Sequence, residues 1–253
     1  ARGSAAAACV PGGAGRLMTK PMKDRLALVT GASKGIGAAT ATALASAGAH
    51  VVLTGRDVRA LEKVEDSIHE AGGASTIAPV DLAESDGIAR LASAIGSRWD
   101  RLDYLVLSAA YLPTLTPVTQ IDGKQLSQAL TVNFLASQAL LANFDPLLKR
   151  ADAGRVIGLT SSVGASPRAY WSAYASTKAA FDNLLESYAQ EVEKISKVRV
   201  AVLDPGATRT EMRAKAYPGE DPKTVKAPEE VAKRLVELLV NDFEGFHRER
   251  VEG

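Results

Sequence analysis

A single cysteine, Cys9, stands in the 253-residue chain, so no intrachain disulfide can form and a reducing, cytoplasmic setting is expected. Histidine is equally sparse. His50, His69 and His247 are far apart and none has a second ligand at metal-site spacing, which argues against a zinc-dependent site; no metal is expected. No apolar run approaches the ~18 residues that would suggest a membrane-spanning helix. Charge of one sign is not in excess either. Lys and Arg number 30 against 29 Asp and Glu, without a long basic or acidic block, so neither a nucleic acid nor an acidic membrane is indicated as partner.

What remains is an ordinary globular composition, 46% apolar and 23% charged, at a length that suits one large domain. Residues 1–20 read differently. They are rich in Ala and Gly, carry Arg2 and Arg16, and contain no acid; the apolar stretch 5–10 is short for a secretory signal. A disordered or expression-derived leader is the favoured reading over the remnant of a transit peptide, and the domain then spans 21–253.

From residue 25 short apolar runs alternate with longer helical patterns. Strands are predicted over 26–30, 51–54, 75–80, 102–107, 155–159 and 198–203. Helices are predicted over 38–47, 58–71, 85–98, 123–148, 173–195 and 228–240. Continuous apolar strands between helices imply a parallel sheet covered on both faces. Right-handed crossovers make this an α/β, Rossmann-type doubly wound fold of one domain. The stretch 213–227, with Pro218, Gly219, Asp221 and Pro222, is the least regular, and 211–227 is expected to be a mobile lid.

Two groups of residues carry chemistry. The first predicted strand ends in Thr30-Gly31-Ala32-Ser33-Lys34-Gly35-Ile36-Gly37. Gly31, Gly35 and Gly37 allow a tight turn and close approach of a pyrophosphate to the next helix's N–H groups, although a glycine cluster alone is also compatible with a plain turn. Tyr174 and Lys178 are four apart, so they share a helix face. A lysine ammonium there would lower the phenol pKa and make Tyr174 a proton donor and acceptor near neutral pH; an isolated pair of this kind would more often be a solvated one. Where an acid would bind a ribose 2′-hydroxyl stands Gly55, followed by Arg56, with Lys34 in the glycine loop. Two cations suit a 2′-phosphate, hence NADP(H), against the alternative of solvated cations with Asp57 neutralising one.

Over about residues 25–240 the chain resembles the short-chain dehydrogenases/reductases. Thr30 to Gly37 meets that family's glycine motif, and Tyr174 and Lys178 meet its Tyr-x-x-x-Lys motif. Ser161, thirteen residues before Tyr174, fits its serine; Val132-Asn133-Phe134 fits its asparagine; Asp81-Leu82 fits the pair beside the adenine. Pro205-Gly206, with Thr208 and Thr210, fits the segment that holds the nicotinamide. The resemblance implies that a hydride passes between NADP(H) and a small-molecule carbonyl or alcohol. Tyr174 would donate the proton, Ser161 hold the substrate oxygen, Lys178 tune Tyr174 and hold the ribose, and Asn133 position a water. It also implies cofactor contacts from Ser33, Ile36, Ser108 and Ala109.

Two departures stand out. Leu107-Ser108-Ala109-Ala110 replaces the usual Asn-Asn-Ala-Gly, which removes bracing amides and puts Ala110 where glycine tolerates positive φ. The charge-rich 244–253 replaces an apolar last strand, which predicts that strand to be eroded, poorly paired or absent. The resemblance implies a homodimer through the helices of Asn133 and Lys178, with a tetramer possible. Two rivals stay open: a 3-oxoacyl-carrier-protein reductase, for which Arg168, Arg209, Arg213 and Lys215 would supply a docking patch, and a non-catalytic NADP-binding sensor.

Overall fold

The computed structural model describes residues 20–84 and 86–252. The leader 1–19, with Cys9, and Ser85 at the start of the third predicted helix lie outside the described residues.

Seven parallel strands form one sheet in the order β3-β2-β1-β4-β5-β6-β7. They are β1 (Leu26–Thr30), β2 (His50–Thr54), β3 (Ala74–Ile77), β4 (Tyr104–Leu107), β5 (Arg155–Leu159), β6 (Arg199–Asp204) and β7 (Phe246–Arg250). The reversal of direction across the sheet falls between β1 and β4, where doubly wound folds open a crevice at the strands' carboxyl ends.

Alternate residues of each strand point to opposite faces, and each face has its own core. Leu26, Leu28, Val52 and Leu105 pack with Phe144 and Leu185, from helices α5 (Ala136–Arg150) and α7 (Ser172–Glu193). Ala27, Val29, Leu53 and Val106 pack with Leu44, Leu61 and Leu235, from α1 (Gly35–Ser46), α2 (Val58–Glu70) and α9 (Pro228–Val240). Both sides of β1 are therefore dry, which is why its pattern reads as a continuous apolar run.

Three sequence expectations need correction. The last strand is neither eroded nor absent: β7 pairs with β6 over five residues, from Val200 opposite Phe246 to Asp204 opposite Arg250. It lies at the sheet's edge, so an apolar run is unnecessary. Its charges are matched instead, Arg248 to Asp182, Glu249 to Arg234 and Arg250 to Asp204.

The helix expected over 123–148 is broken by a π turn. It runs as α4 (Gly123–Leu130), the turn Thr131–Leu135, then α5. The stretch 211–227 holds more regular secondary structure than its composition suggests. It contains α8 (Glu211–Ala216), which Thr210 caps by accepting from the Arg213 N–H at 3.1 Å, and a 3₁₀ turn at Pro222–Thr224. The other short helices are α3 (Gly87–Arg98) and α6 (Ser162–Ala165).

Candidate active site

β1 runs straight into the glycine loop. Gly31 and Gly35 have φ of +67° and +56°, the left-handed region that side chains oppose. Gly37 is required for a different reason: a Cβ there would lie 2.2 Å from the Gly31 carbonyl oxygen. The N-cap of α1, Lys34, makes no side-chain capping bond, and the first turn holds no acid. The helix's leading N–H groups and the positive end of its dipole are thus turned to the crevice, a setting for phosphate.

The altered end of β4 is braced by other means. The Thr30 hydroxyl donates to the Val106 carbonyl at 3.2 Å and accepts from the N–H groups of Ser108 and Ala109 at 3.0 and 3.1 Å. One proton and two lone pairs are then all used. Ala110 is not among the described residues with positive φ, so it carries no backbone strain. The Asn133 amide continues the brace. Its oxygen accepts from the Tyr111 N–H at 2.7 Å, and its nitrogen donates to the Tyr111 carbonyl at 3.0 Å and to Thr177 Oγ1 at 2.9 Å. Both amide protons are spent on protein groups. Asn133 therefore orders the chain after β4 and ties it to α7.

α7 carries Tyr174 and Lys178 on one face, both buried. The Lys178 ammonium donates to the Leu159 carbonyl at 2.7 Å and lies 4.6 Å from the Phe181 ring centroid and 5.9 Å from that of Tyr174. Burial lowers its pKa to about 8, partly offset by the Asp182 carboxylate. The expected lowering of the phenol is overturned: burial, then the carboxylates of Asp204 and Asp182, raise the Tyr174 pKa well above its usual value. Burial is the largest of these effects, and the phenol is held protonated, the form that donates. Ser161 stands at the end of β5 as the N-cap of α6, and its hydroxyl makes no capping bond.

Around this core a cavity of about 1120 Å³ opens, larger than most single-ligand pockets at ~300–1,000 Å³. It brings together Gly31, Ser33, Lys34, Gly35, Ile36, Gly37, Arg56, Asp81, Leu82, Ser108, Ala109, Tyr174, Lys178, Pro205 and Thr210. Asn133, Ser161, Gly206 and Thr208 are not in its lining. Asn133 sits behind it, and Ser161 follows Thr160, which does line it. Gly206, with φ of +62°, turns the chain after β6, and Thr208 closes that turn by donating to the Pro205 carbonyl at 3.0 Å. Asp81 accepts from the Ala83 N–H, and Asp57 caps α2 through the Ala60 N–H. Of the two cations expected to meet a 2′-phosphate, Arg56 is exposed and lines the cavity, while Lys34 pairs with Glu211.

Sequence reasoning missed the residues beside Tyr174. Leu112, Val163 and Ala175 are buried against it, with Leu115, Trp171, Met212 and Ala216 packed around them. Tyr217 is held by Arg168, which donates to its hydroxyl at 2.7 Å, and by the Arg213 guanidinium 3.7 Å from its ring centroid. Arg213 in turn makes a two-point bond with Glu220 at 2.6 Å. Of these, only Trp171, three residues before Tyr174, and Ala175, directly after it, lay close enough in the chain to have been suspected. Among the described residues no three His, Cys, Asp or Glu side chains gather as a metal site, and no helix is long and apolar enough to cross a membrane.

Residues 25–221 match the family model described as short chain dehydrogenase. An uncharacterized oxidoreductase of Escherichia coli K12, YciK, is 36% identical over 87% of this chain and 88% of its own length. A fatty acyl-CoA reductase of Acinetobacter baylyi is 31% identical over 88% of this chain and 76% of its own. A short chain dehydrogenase of Shigella flexneri 2a, crystallised with NADP, superposes with a TM-score of 0.86 at 34% identity, covering 91% of this chain and 98% of that one.

Proposed function

The chain belongs to the short-chain dehydrogenase family and is an oxidoreductase, and on that premise we propose that it moves a hydride between NADP(H) and a carbonyl or secondary-alcohol substrate, with Tyr174 as the proton donor. The observation that carries the reading is one continuous cavity lined by both the glycine loop and the buried Tyr174–Lys178 pair. The residues present fit a dinucleotide: bare N–H groups at α1 for the pyrophosphate, Asp81 and Leu82 for the adenine, and Arg56 for a 2′-phosphate. The NADP in the Shigella flexneri relative supports the same choice. When bound, the nicotinamide supplies or accepts the hydride.

The chain's own groups do the rest. Tyr174 gives its phenolic proton to the carbonyl oxygen as the hydride reaches the carbon, and takes it back in the reverse direction. Ser161 offers its hydroxyl to that oxygen. Lys178, fixed by Leu159, keeps positive charge near the phenolate that forms and is the donor for the nicotinamide ribose. Pro205, Gly206, Thr208 and Thr210 shape the turn against which the nicotinamide lies. Asn133 keeps the strand end and α7 in register. Leu112, Trp171 and Met212 exclude water beside the phenol and favour a substrate with an apolar body. That fits the similarity to a fatty acyl-CoA reductase.

A carrier-protein docking patch is less well supported. Arg168 and Arg213 are engaged by Tyr217 and Glu220, and Lys215 donates to the Leu112 carbonyl. We also propose a homodimer, because Leu130 and Leu135, at the break between α4 and α5, are 37% and 54% exposed; a monomer mass by light scattering at micromolar concentration is the contrary result.

Tyr174→Phe tests the main reading. NADPH should bind as in the wild type, while ketone reduction falls by at least ~10²-fold, the scale of a lost general acid. Undiminished turnover would remove Tyr174 from its role. A wild-type chain that binds NADPH and reduces no ketone in a broad panel would favour the sensor.

A further inference from the structure

We propose that Arg248 on β7 and Asp182 on α7 form a charge pair that sets the protonation of Tyr174 and Lys178 from outside the reaction cavity, so that both are positioning residues for the proton transfer. The proposal rests on the catalytic reading of Tyr174.

Asp182 lies one helical turn beyond Lys178, on the same face of α7. It is buried. One carboxylate oxygen, Oδ2, accepts from Arg248 Nη1 at 2.7 Å; the other, Oδ1, is buried without a hydrogen-bond partner. An anion held in this way is a poor device for stability, because its desolvation is only partly offset. Its field, however, falls on the two groups that exchange protons. A negative charge beside an ammonium favours the protonated form, and beside a phenol it opposes the phenolate; the carboxylate acts on both Lys178 and Tyr174 in these directions. Arg248 opposes that field. Neither Asp182 nor Arg248 lines the cavity, so neither is positioned to touch substrate.

The other charges facing the pair are few. From β6 comes Asp204, which acts on Tyr174 and is met by Arg250 of β7 at 3.7 Å. Lys226, near Gly206, donates to the Val251 carbonyl. α4 contributes Lys124, exposed on its first turn, after Asp122 at its N-cap; α6 and the π turn contain no titratable residue. The two carboxylates that weigh on Tyr174 are thus the two that β7 arginines meet. The edge strand whose composition looked unfit for a sheet carries the counter-charges of the site.

The test reads the titration of Lys178 directly, by NMR of the free protein carrying ¹³Cε-lysine, with acetophenone reduction against pH as a second readout. Asp182→Asn keeps the shape and removes the charge. It should move the Lys178 titration, and the alkaline limb of the rate profile, to lower pH by about half to one pH unit. Arg248→Gln should move both to higher pH by a similar amount, and Arg248→Lys should restore the wild-type position. Opposite directions are the signature, since a loss of packing alone gives no such sign reversal. Circular dichroism reports whether each variant folds. If Arg248→Gln does not, Asp182→Asn decides by itself. An unmoved titration in folded Asp182→Asn, or shifts of the same sign in both variants, overturns the proposal. The failures are distinguishable: an active Tyr174→Phe would remove the catalytic reading, whereas an inactive Tyr174→Phe with unmoved titrations would remove only the Arg248–Asp182 role.

Discussion

At the amino ends of the strands Asp103 is fully buried and fully met. It accepts from Arg25 at 2.7 Å, from Arg101 at 3.3 Å and from the Leu26 N–H at 2.9 Å. Nearby, buried Arg155 donates to Asp242 at 2.7 Å. At the carboxyl ends Lys178 is just as buried, yet no carboxylate among the described residues forms a salt bridge with it; its one hydrogen bond goes to a neutral carbonyl. The two ends of one sheet therefore use buried charge differently. Where charge ties strands together it is neutralised in contact. At the proposed site of proton transfer it is kept near a carboxylate but short of pairing, which leaves its protonation adjustable.

Removing one charge from each end gives the largest test of that contrast. Asp103→Ala leaves the buried Leu26 N–H without a partner and releases Arg25, and should cost about 1–3 kcal/mol in denaturant unfolding while the folded fraction keeps its turnover. Lys178→Met should do the reverse. The lysine's pKa is about 8 folded against 10.5 unfolded, so between those values the unfolded chain holds more protons and wild-type stability rises with pH. The cost of burying the ammonium is fully present below about pH 8. The variant should then be more stable than wild type at pH 7, by up to about 3 kcal/mol, and lose that advantage toward pH 10.5, with turnover abolished. A Lys178→Met chain less stable than wild type at pH 7 would mean that the two ends bury charge alike.

The smallest expected effect sharpens the picture at Arg56. This exposed cation lines the cavity, and a charge-assisted bond to a phosphate is worth about 1.5–3 kcal/mol. Arg56→Ala should weaken NADPH by roughly ten- to hundredfold and leave NADH nearly unchanged, as read from dissociation constants. Equal losses for both cofactors would show that Arg56 does not read the phosphate. Lys34, engaged with Glu211, should contribute less than its place in the glycine loop suggests.

What could be read from the sequence were features written locally. The strands of the core are apolar runs, the glycine loop is eight consecutive residues, and Tyr174 and Lys178 are one helical turn apart. What could not be read depends on residues far apart in the chain. Nothing near Thr30 indicates that its hydroxyl replaces amides absent 78 residues later, at Ser108. Nothing near Arg248 points to Asp182, 66 residues earlier. β7 was misjudged for the same reason: an edge strand with charged side chains is legible only once their partners are known. The phenol's pKa was misjudged because spacing reveals the neighbouring lysine and not the burial and the carboxylates that raise it.

The π turn at Thr131–Leu135 has a consequence for descent. Each residue of an α-helix advances it by about 100°, so deleting one residue here would rotate everything downstream by that angle. Leu140, Phe144 and Leu147, which α5 turns into the core, would swing toward solvent, or else Asn133 would lose its hold on Tyr111 and Thr177. A change of length here must therefore break the core or the site at once.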